Sequence, residues 1–352
     1  MQNKSIQTTR IWRVMPGYDN DFVLKNPEYS AIVLQLLYNR GLKEKGEIEE
    51  FLNPEYAKTH DPFLFKDMEA AVNLIIRHAK EKNKIVIYGD YDADGVTSSA
   101  VLVDVFRTLR ADVDAYIPDR VSEGYSLNRG AIDEIAGTGA KLIITVDCGV
   151  RNKEEVAHAK SLGMDIIITD HHIAPENEDD YPDCLIINPI VKDENYPFRY
   201  LSGVGVAFKL AKALISRSKL SDDDKVRLEE SVLDLVAVGT VADCVNTFGE
   251  NRILIKKGLE VLNLKKRIGL DELIKVAQVN GGKLLDTWNI SFQIAPRLNA
   301  AGKMAHANTA FELLVAKNRE EAEGIAKNLN EKNVERQVIT EEIVKQVEEQ
   351  IK

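Results

Sequence analysis

A series of short β-branched and apolar runs, set between stretches of helical periodicity, constrains this chain more than any other feature. The runs are Lys84-Ile85-Val86-Ile87-Tyr88-Gly89, then 113–117, Lys141-Leu142-Ile143-Ile144-Thr145-Val146, Asp165-Ile166-Ile167-Ile168-Thr169 and Cys184-Leu185-Ile186-Ile187. Runs without polar alternation suit strands buried on both faces, the usual condition of a parallel sheet. Helical spacing occupies 68–81, 96–109, 129–136 and 153–162. Strand alternating with helix predicts an α/β fold: a doubly wound parallel sheet with right-handed crossovers.

After Pro189 the alternation stops. Segments 203–218, 224–241, 251–262 and 270–279 read as helices, and 319–352 as a long amphipathic helix, continuous or broken near Asn330. Its heptads are not clean, so a packing or connecting role is expected rather than a coiled coil. Residues 1–66 read as an N-terminal attachment with helical stretches at 30–39 and 47–52, closed by Pro54, Pro62 and the aromatics at 63–65. The expected organisation is therefore 1–66 as attachment, 67–220 as catalytic α/β domain, 221–318 as a helical region completing the site, and 319–352 as a connecting helix.

Composition narrows the class. No run of 18 apolar residues spans a membrane, and Met1–Ser5 opens no apolar signal segment, so the expected location is the cytoplasm. Cys148, Cys184 and Cys244 are far apart, which argues against structural zinc or a disulfide framework. A net charge of −10 argues against a nonspecific nucleic-acid coating protein but leaves a nuclease open, because a metal brings its own positive charge to a phosphate.

Ligands of open parallel sheets bind beyond the carboxyl ends of the strands. There the chain places Asp90-Tyr91-Asp92-Ala93-Asp94-Gly95, Asp147-Cys148-Gly149 and Asp170-His171-His172. So many carboxylates on one rim remain ionised together only around a cation. Oxygen and imidazole ligands suit Mn, Mg, Fe or Zn, and a two-metal site with an activated water is a recurrent device for phosphoryl hydrolysis. An EF-hand is excluded by Val101 at the twelfth loop position, where a bidentate Glu is needed, and by the strand before the loop. Asp243, inside the apolar run 238–245, either caps or pairs locally or completes the metal site from the helical region.

These residues resemble the motifs of the DHH phosphoesterase superfamily in its RecJ form. Residues 88–98 resemble the first motif; Ile117-Pro118-Asp119-Arg120 with 123–128 the second; 145–149 the third; and Thr169-Asp170-His171-His172 the name-giving fourth. Residues 202–209, 239–243 and Pro296-Arg297-Leu298-Asn299-Ala300-Ala301-Gly302-Lys303-Met304 follow in the family's order.

The resemblance implies a single-strand-specific DNA exonuclease acting 5′ to 3′ with Mn²⁺ or Mg²⁺, two ions being expected. It would release 5′-mononucleotides in recombination and repair. The implied metal ligands are Asp90, Asp92, Asp94, Asp147, His171 and Asp243, with Asp147 as bridge. His172 would stand nearer the scissile phosphate, and Asp170 would orient the histidines. Ser202, Gly203 and Gly205 open a helix whose N–H groups either hold phosphate or simply pack tightly. Arg120, Arg297 and Asn299 either contact phosphate and sugar or pair internally. Tyr125 stacks on a base or packs.

Single-stranded DNA is the implied partner, with a single-strand-binding protein or helicase beside it and no membrane. The family pattern continues after the long helix with a DHHA1 domain and an oligonucleotide-binding fold, whereas this sequence stops at Lys352. Metal binding is expected to be independent of those modules, and tight strand binding is not. Two rivals stand beside this reading. One is a phosphoesterase for pyrophosphate, short oligonucleotides or cyclic dinucleotides. The other is a non-catalytic replication scaffold, which the full set of ligand residues disfavours.

Overall fold

In a computed structural model of the protein, residues 12–120, 122–279, 283–304 and 308–351 are described, with backbone alone at 303 and 304. Met1–Ser5, Lys352 and the side chains of Lys303 and Met304 lie outside the described set. The chain divides into two compact units, residues 1–55 and 56–352.

The first unit holds α1 (Asn20–Lys25), α2 (Ala31–Asn39) and α3 (Lys45–Leu52) around Phe22, Leu34, Leu37 and Ile48. Its helix starts are capped by Asp19 and Ser30 and by the Glu44–Glu47 capping box, satisfying N–H groups that have no partner inside the helix. α1 has no counterpart in the sequence reading.

The second unit is built on a five-stranded, wholly parallel sheet of order β2-β1-β3-β4-β5. Its strands are β1 (Ile85–Gly89), β2 (Val113–Tyr116), β3 (Leu142–Val146), β4 (Asp165–Thr169) and β5 (Leu185–Ile187). Alternate strand residues serve the two faces. Ile85, Ile87, Leu142, Ile144 and Ile167 pack with α4 (Met68–Lys80), α5 (Ala93–Thr108) and α8 (Gly203–Arg217). Val86, Tyr88, Ile143, Ile166 and Ile168 pack with α6 (Arg129–Gly137) and α7 (Lys153–Ser161). The doubly wound expectation is met. The chain leaves β1 for one face through α5 and leaves β3 for the other through α7, which opens a crevice between the carboxyl ends of those neighbours.

The helical region follows as α9 (Asp222–Ser231), α10 (Leu233–Ala242), α11 (Gly249–Asn263) and α12 (Ile268–Val276). Segment 224–241, expected as one helix, is two. Val232 at the junction has φ −106° and ψ −5°, and Arg267 donates to the Ser231 carbonyl (3.0 Å) and to Asp234 (2.9 Å). Three further helices have no counterpart in the sequence reading. α13 (Thr287–Asn289) runs through a π-helical turn, Ile290–Ile294, into α14 (Ala295–Met304), and α15 (Asn308–Val315) follows. α16 (Arg319–Ile351) is a single helix of 33 residues, unbroken at Asn330. α10 is apolar on all sides, as a helix buried in a core must be, and it packs against α5, α8 and α11. One continuous apolar cluster runs from Phe65 to Leu329, joining one face of the sheet to the helical region.

Candidate metal centre

β1 ends at Gly89, and the chain turns sharply through Asp90 into α5. A Cβ at Gly95 would lie 2.5 Å from the Asp90 carbonyl oxygen, so this turn closes only with glycine there. Asp92 caps α5, its Oδ1 accepting from the N–H groups of Asp94 (2.9 Å) and Gly95 (3.1 Å). The next free donor, Ala93 N–H, goes to Asn299 Oδ1 (2.7 Å). Asp94 is buried, and its two oxygens accept from Gly203 N–H (2.7 Å) and Val204 N–H (2.9 Å) at the start of α8. The positive end of α8 thus supports a carboxylate of the protein itself.

That contact corrects one expectation. The N–H groups of Gly203 and Val204 are spent on Asp94, and that of Gly205 on the Ser202 hydroxyl (3.2 Å), which also meets Thr240 Oγ1 (2.9 Å). Ser202, Gly203 and Gly205 are all buried, so none offers a donor to a phosphate. Gly203 serves close approach instead: a Cβ there would sit 2.5 Å from Asp147 Oδ1.

Asp147 follows β3 with φ +61°, a left-handed conformation that is uncommon for a non-glycine residue. Its N–H donates to the Thr169 carbonyl (3.0 Å), and its carboxylate lies at the centre of the rim. His171 Nε2 is 3.1 Å from Asp147 Oδ1, 3.7 Å from Asp243 Oδ2 and 3.9 Å from Asp94 Oδ2. Asp243, at the end of α10, reaches the group from the helical region.

Asp170 stands apart from the cluster. Oδ1 accepts from the N–H groups of His171 (2.7 Å) and His172 (3.1 Å) and binds His172 Nδ1 (2.8 Å), while Oδ2 accepts from Val150 N–H (3.0 Å). Every one of these contacts lies within the loop, so both Asp170 oxygens are taken up by Val150, His171 and His172. His172 Nδ1 is 4.0 Å from Asp147 and is engaged by Asp170, while Asp147, His171 and His172 also bring ligand atoms within 4.8 Å of one another.

Electrostatics separates the two kinds of aspartate. Burial, and then the Asp92 charge, push the Asp90 carboxyl up to about 7. Burial and the neighbouring carboxylates hold Asp94 and Asp147 well above the usual range, and burial with Asp92 brings Asp243 to about 6. Burial, then His172, lower His171 to about 4. Burial alone would raise Asp170, but its hydrogen bonds from His172 and Val150 bring it below the ordinary value. Asp170 is thus satisfied by donors, whereas at Asp90, Asp94, Asp147 and Asp243 burial and mutual repulsion outweigh the favourable contacts nearby.

The donor set fits divalent cations. Asp90 Oδ1, Asp147 Oδ1 and His171 Nε2 are buried without a hydrogen-bond partner, the last two adjacent yet not aligned with each other. Asp90, Asp92 and Asp147 bring ligand atoms within 4.8 Å of one another, and so do Asp94, His171 and Asp243. Neutral imidazole with carboxylate oxygens is the ligand chemistry of Mn²⁺ and, through the oxygens, Mg²⁺.

A cavity of about 440 Å³ opens beside the cluster, with Asp90, Asp92, Arg120, Tyr125, His172 and Asn299 in its wall. The Arg120 guanidinium lies 5.1 Å from the centre of the Tyr91 ring and has no carboxylate partner among the described residues. Tyr125 Oη is 3.3 Å from His172 Nε2. The loop bearing Arg120 and Tyr125 is tied down by Glu123, which accepts from Tyr116 Oη and Asp119 N–H (both 2.7 Å). Arg297 is not brought to this wall; it donates to the Gln293 carbonyl (2.6 Å) and to Asn330 on α16 (2.9 Å). Tyr91 and Glu123 lie inside the first and second motifs, but the sequence assigned neither a role.

Residues 84–240 match the family described as DHH family, N-terminal domain. The single-stranded-DNA-specific exonuclease RecJ of Bacillus subtilis is 42% identical over 326 residues, covering 91% of this chain and 40% of that protein. A crystal structure of exonuclease RecJ bound to manganese superposes with a TM-score of 0.73 at 32% identity, covering 81% of this chain and 70% of that one. The chain belongs to the RecJ family. A second RecJ structure, from Thermus thermophilus in complex with Mn²⁺, agrees at TM-score 0.76 and 30% identity over 93% of this chain and 45% of that one. The chain spans about half the length of the curated RecJ relatives it matches. No helix among the described residues is long and apolar enough to cross a membrane.

Proposed function

We propose that this chain carries the catalytic core of a 5′-to-3′ exonuclease specific for single-stranded DNA. It hydrolyses phosphodiester bonds with a metal-activated water and releases 5′-mononucleotides in cytoplasmic recombination and repair. The observation that carries the reading is the meeting of two ligand groups at Asp147 and His171, whose inward atoms lack partners. The RecJ relatives support it: one is named as single-stranded-DNA-specific, and another was solved with manganese.

Two ions, Mn²⁺ or Mg²⁺, would be held by Asp90, Asp92 and Asp147 on one side and by Asp94, His171 and Asp243 on the other, with Asp147 shared. Bound there, such ions acidify a water and offset charge on the phosphoryl oxygens. The side chains around them do the rest. Arg120 offers a planar fork of donors to a phosphate at the cavity wall. His172, oriented by Asp170, faces the same cavity and places a nitrogen where the scissile phosphate would stand. Tyr125 supplies a ring for a nucleobase. Asn299 holds the first turn of α5, and Arg297 braces α14 against α16.

In this reading residues 67–220 form the catalytic domain, 221–318 complete the site through Asp243, and 319–352 connect. A single-strand-binding protein or helicase would be the further partner of the longer protein. The test is degradation of 5′-phosphorylated single strands against dinucleotides in Mn²⁺. Shortening of the strands from the 5′ end supports the exonuclease. Cleavage of dinucleotides with long strands untouched assigns a small-substrate phosphoesterase instead.

A further inference from the structure

A second concave surface lies at the opposite end of the sheet from the metal centre. It is a groove of about 640 Å³ between the carboxyl-terminal ends of α4, α5 and α8. The ends of α4 and α5 lead to the starts of β1 and β2, whereas the aspartates and histidines follow the ends of the strands. At about 3.3 Å per residue, the five residues of β1 separate the two by about 17 Å.

The floor is apolar: Ile76 and Leu109 are half-buried there, with Phe106 and Leu214 buried beneath them. The rim is cationic: Lys80 from α4, Arg110 after α5, and Arg217 with Lys219 at the end of α8. Arg217 is paired with Glu69 (2.7 Å), but Lys80, Arg110 and Lys219 are exposed and have no acidic partner among the described residues. No carboxylate among the described residues lines the groove. In a chain of net charge −10 this is a local inversion of sign. Part of it is explained by cations favouring helix carboxyl ends. That preference does not account for an apolar concavity between them.

We propose that this groove docks an extended acidic peptide segment of a partner protein, its apolar side chains on the floor and its carboxylates at the rim. The cations stand on three separate chain segments rather than converging on one point, which matches several carboxylates along a chain better than one anionic headgroup. Apolar anchors would supply most of the affinity and the rim the selectivity and the rate of encounter. Because the groove is remote from the catalytic rim, a docked partner would raise the local concentration of the nuclease without blocking the site.

The test is fluorescence anisotropy with the whole chain and a labelled synthetic peptide of alternating aspartate and leucine. Peptides alternating lysine with leucine, and aspartate with serine, serve as controls. The proposal expects salt-sensitive binding of the first peptide alone. The double variant Lys80→Glu/Lys219→Glu should weaken it roughly tenfold or more by replacing attraction with repulsion. Ala79→Trp, at an exposed position in the groove wall, should block it sterically. Neither variant touches the catalytic machinery, so hydrolysis of free single strands should be unchanged. The proposal is overturned if the peptide fails to bind, or binds both variants like the unmodified chain. It is also overturned if the groove instead takes phosphatidylglycerol vesicles or a second copy of the chain while ignoring the peptide.

Discussion

At the residue scale the centre depends on Asp147 being held in a left-handed backbone conformation against a glycine. Asp147→Ala should abolish Mn²⁺-dependent hydrolysis while leaving thermal unfolding cooperative, because the surrounding strands and helices share their core without it. Activity like that of the unmodified chain would refute the assignment of Asp147 as the shared ligand. Gly203→Ala probes the same carboxylate from the other side. A methyl group placed 2.5 Å from Asp147 Oδ1 must displace it, and Mn²⁺ affinity measured by calorimetry should fall about 10–100-fold, the usual effect of disturbing a ligand's support. Unchanged affinity would mean that Asp147 has room to move. Much of this was legible in the sequence, since aspartates directly after apolar strands can only collect on one rim. The use of the Gly203 and Val204 N–H groups was not. A helix start looks the same whether its partner is a phosphate or Asp94, which comes from 109 positions earlier in the chain.

At the element scale, α5 and α8 meet at their starts, and what holds α8 is partly a buried ion pair. Lys209 and Glu250 are both buried and in direct contact; Glu250 also accepts from Tyr196 Oη (2.6 Å) and His60 N–H (2.9 Å). Lys209→Met would strand the carboxylate and should destabilise the fold by about 3–5 kcal/mol, read as a lowered urea midpoint. A loss below about 1 kcal/mol, the range of exposed pairs, would show that water reaches Glu250. Strand and helix periodicity placed the elements of the sheet to within a few residues. It could not split 224–241, because Arg267, far along the chain, takes the Ser231 carbonyl and Asp234 and also bonds Asp104 (2.7 Å). Nor did it reveal α14, where a π-helical turn interrupts the regular spacing that a periodicity reading relies on.

At the scale of the whole molecule, the sheet supplies Asp90, Asp147 and His171 and the helical region supplies Asp243, within one apolar core from Phe65 to Leu329. The candidate ligand set is therefore drawn together by one fold, and its closely spaced carboxylates are the part that needs a cation. Anomalous diffraction from crystals soaked in Mn²⁺ tests this most directly. The account predicts two peaks at the carboxyl ends of β1, β3 and β4. One should contact Asp90, Asp92 and Asp147, the other Asp94, His171 and Asp243, with Asp147 reaching both. Absence of both peaks there, or a single ion held by His172 and Asp170 instead, would contradict it.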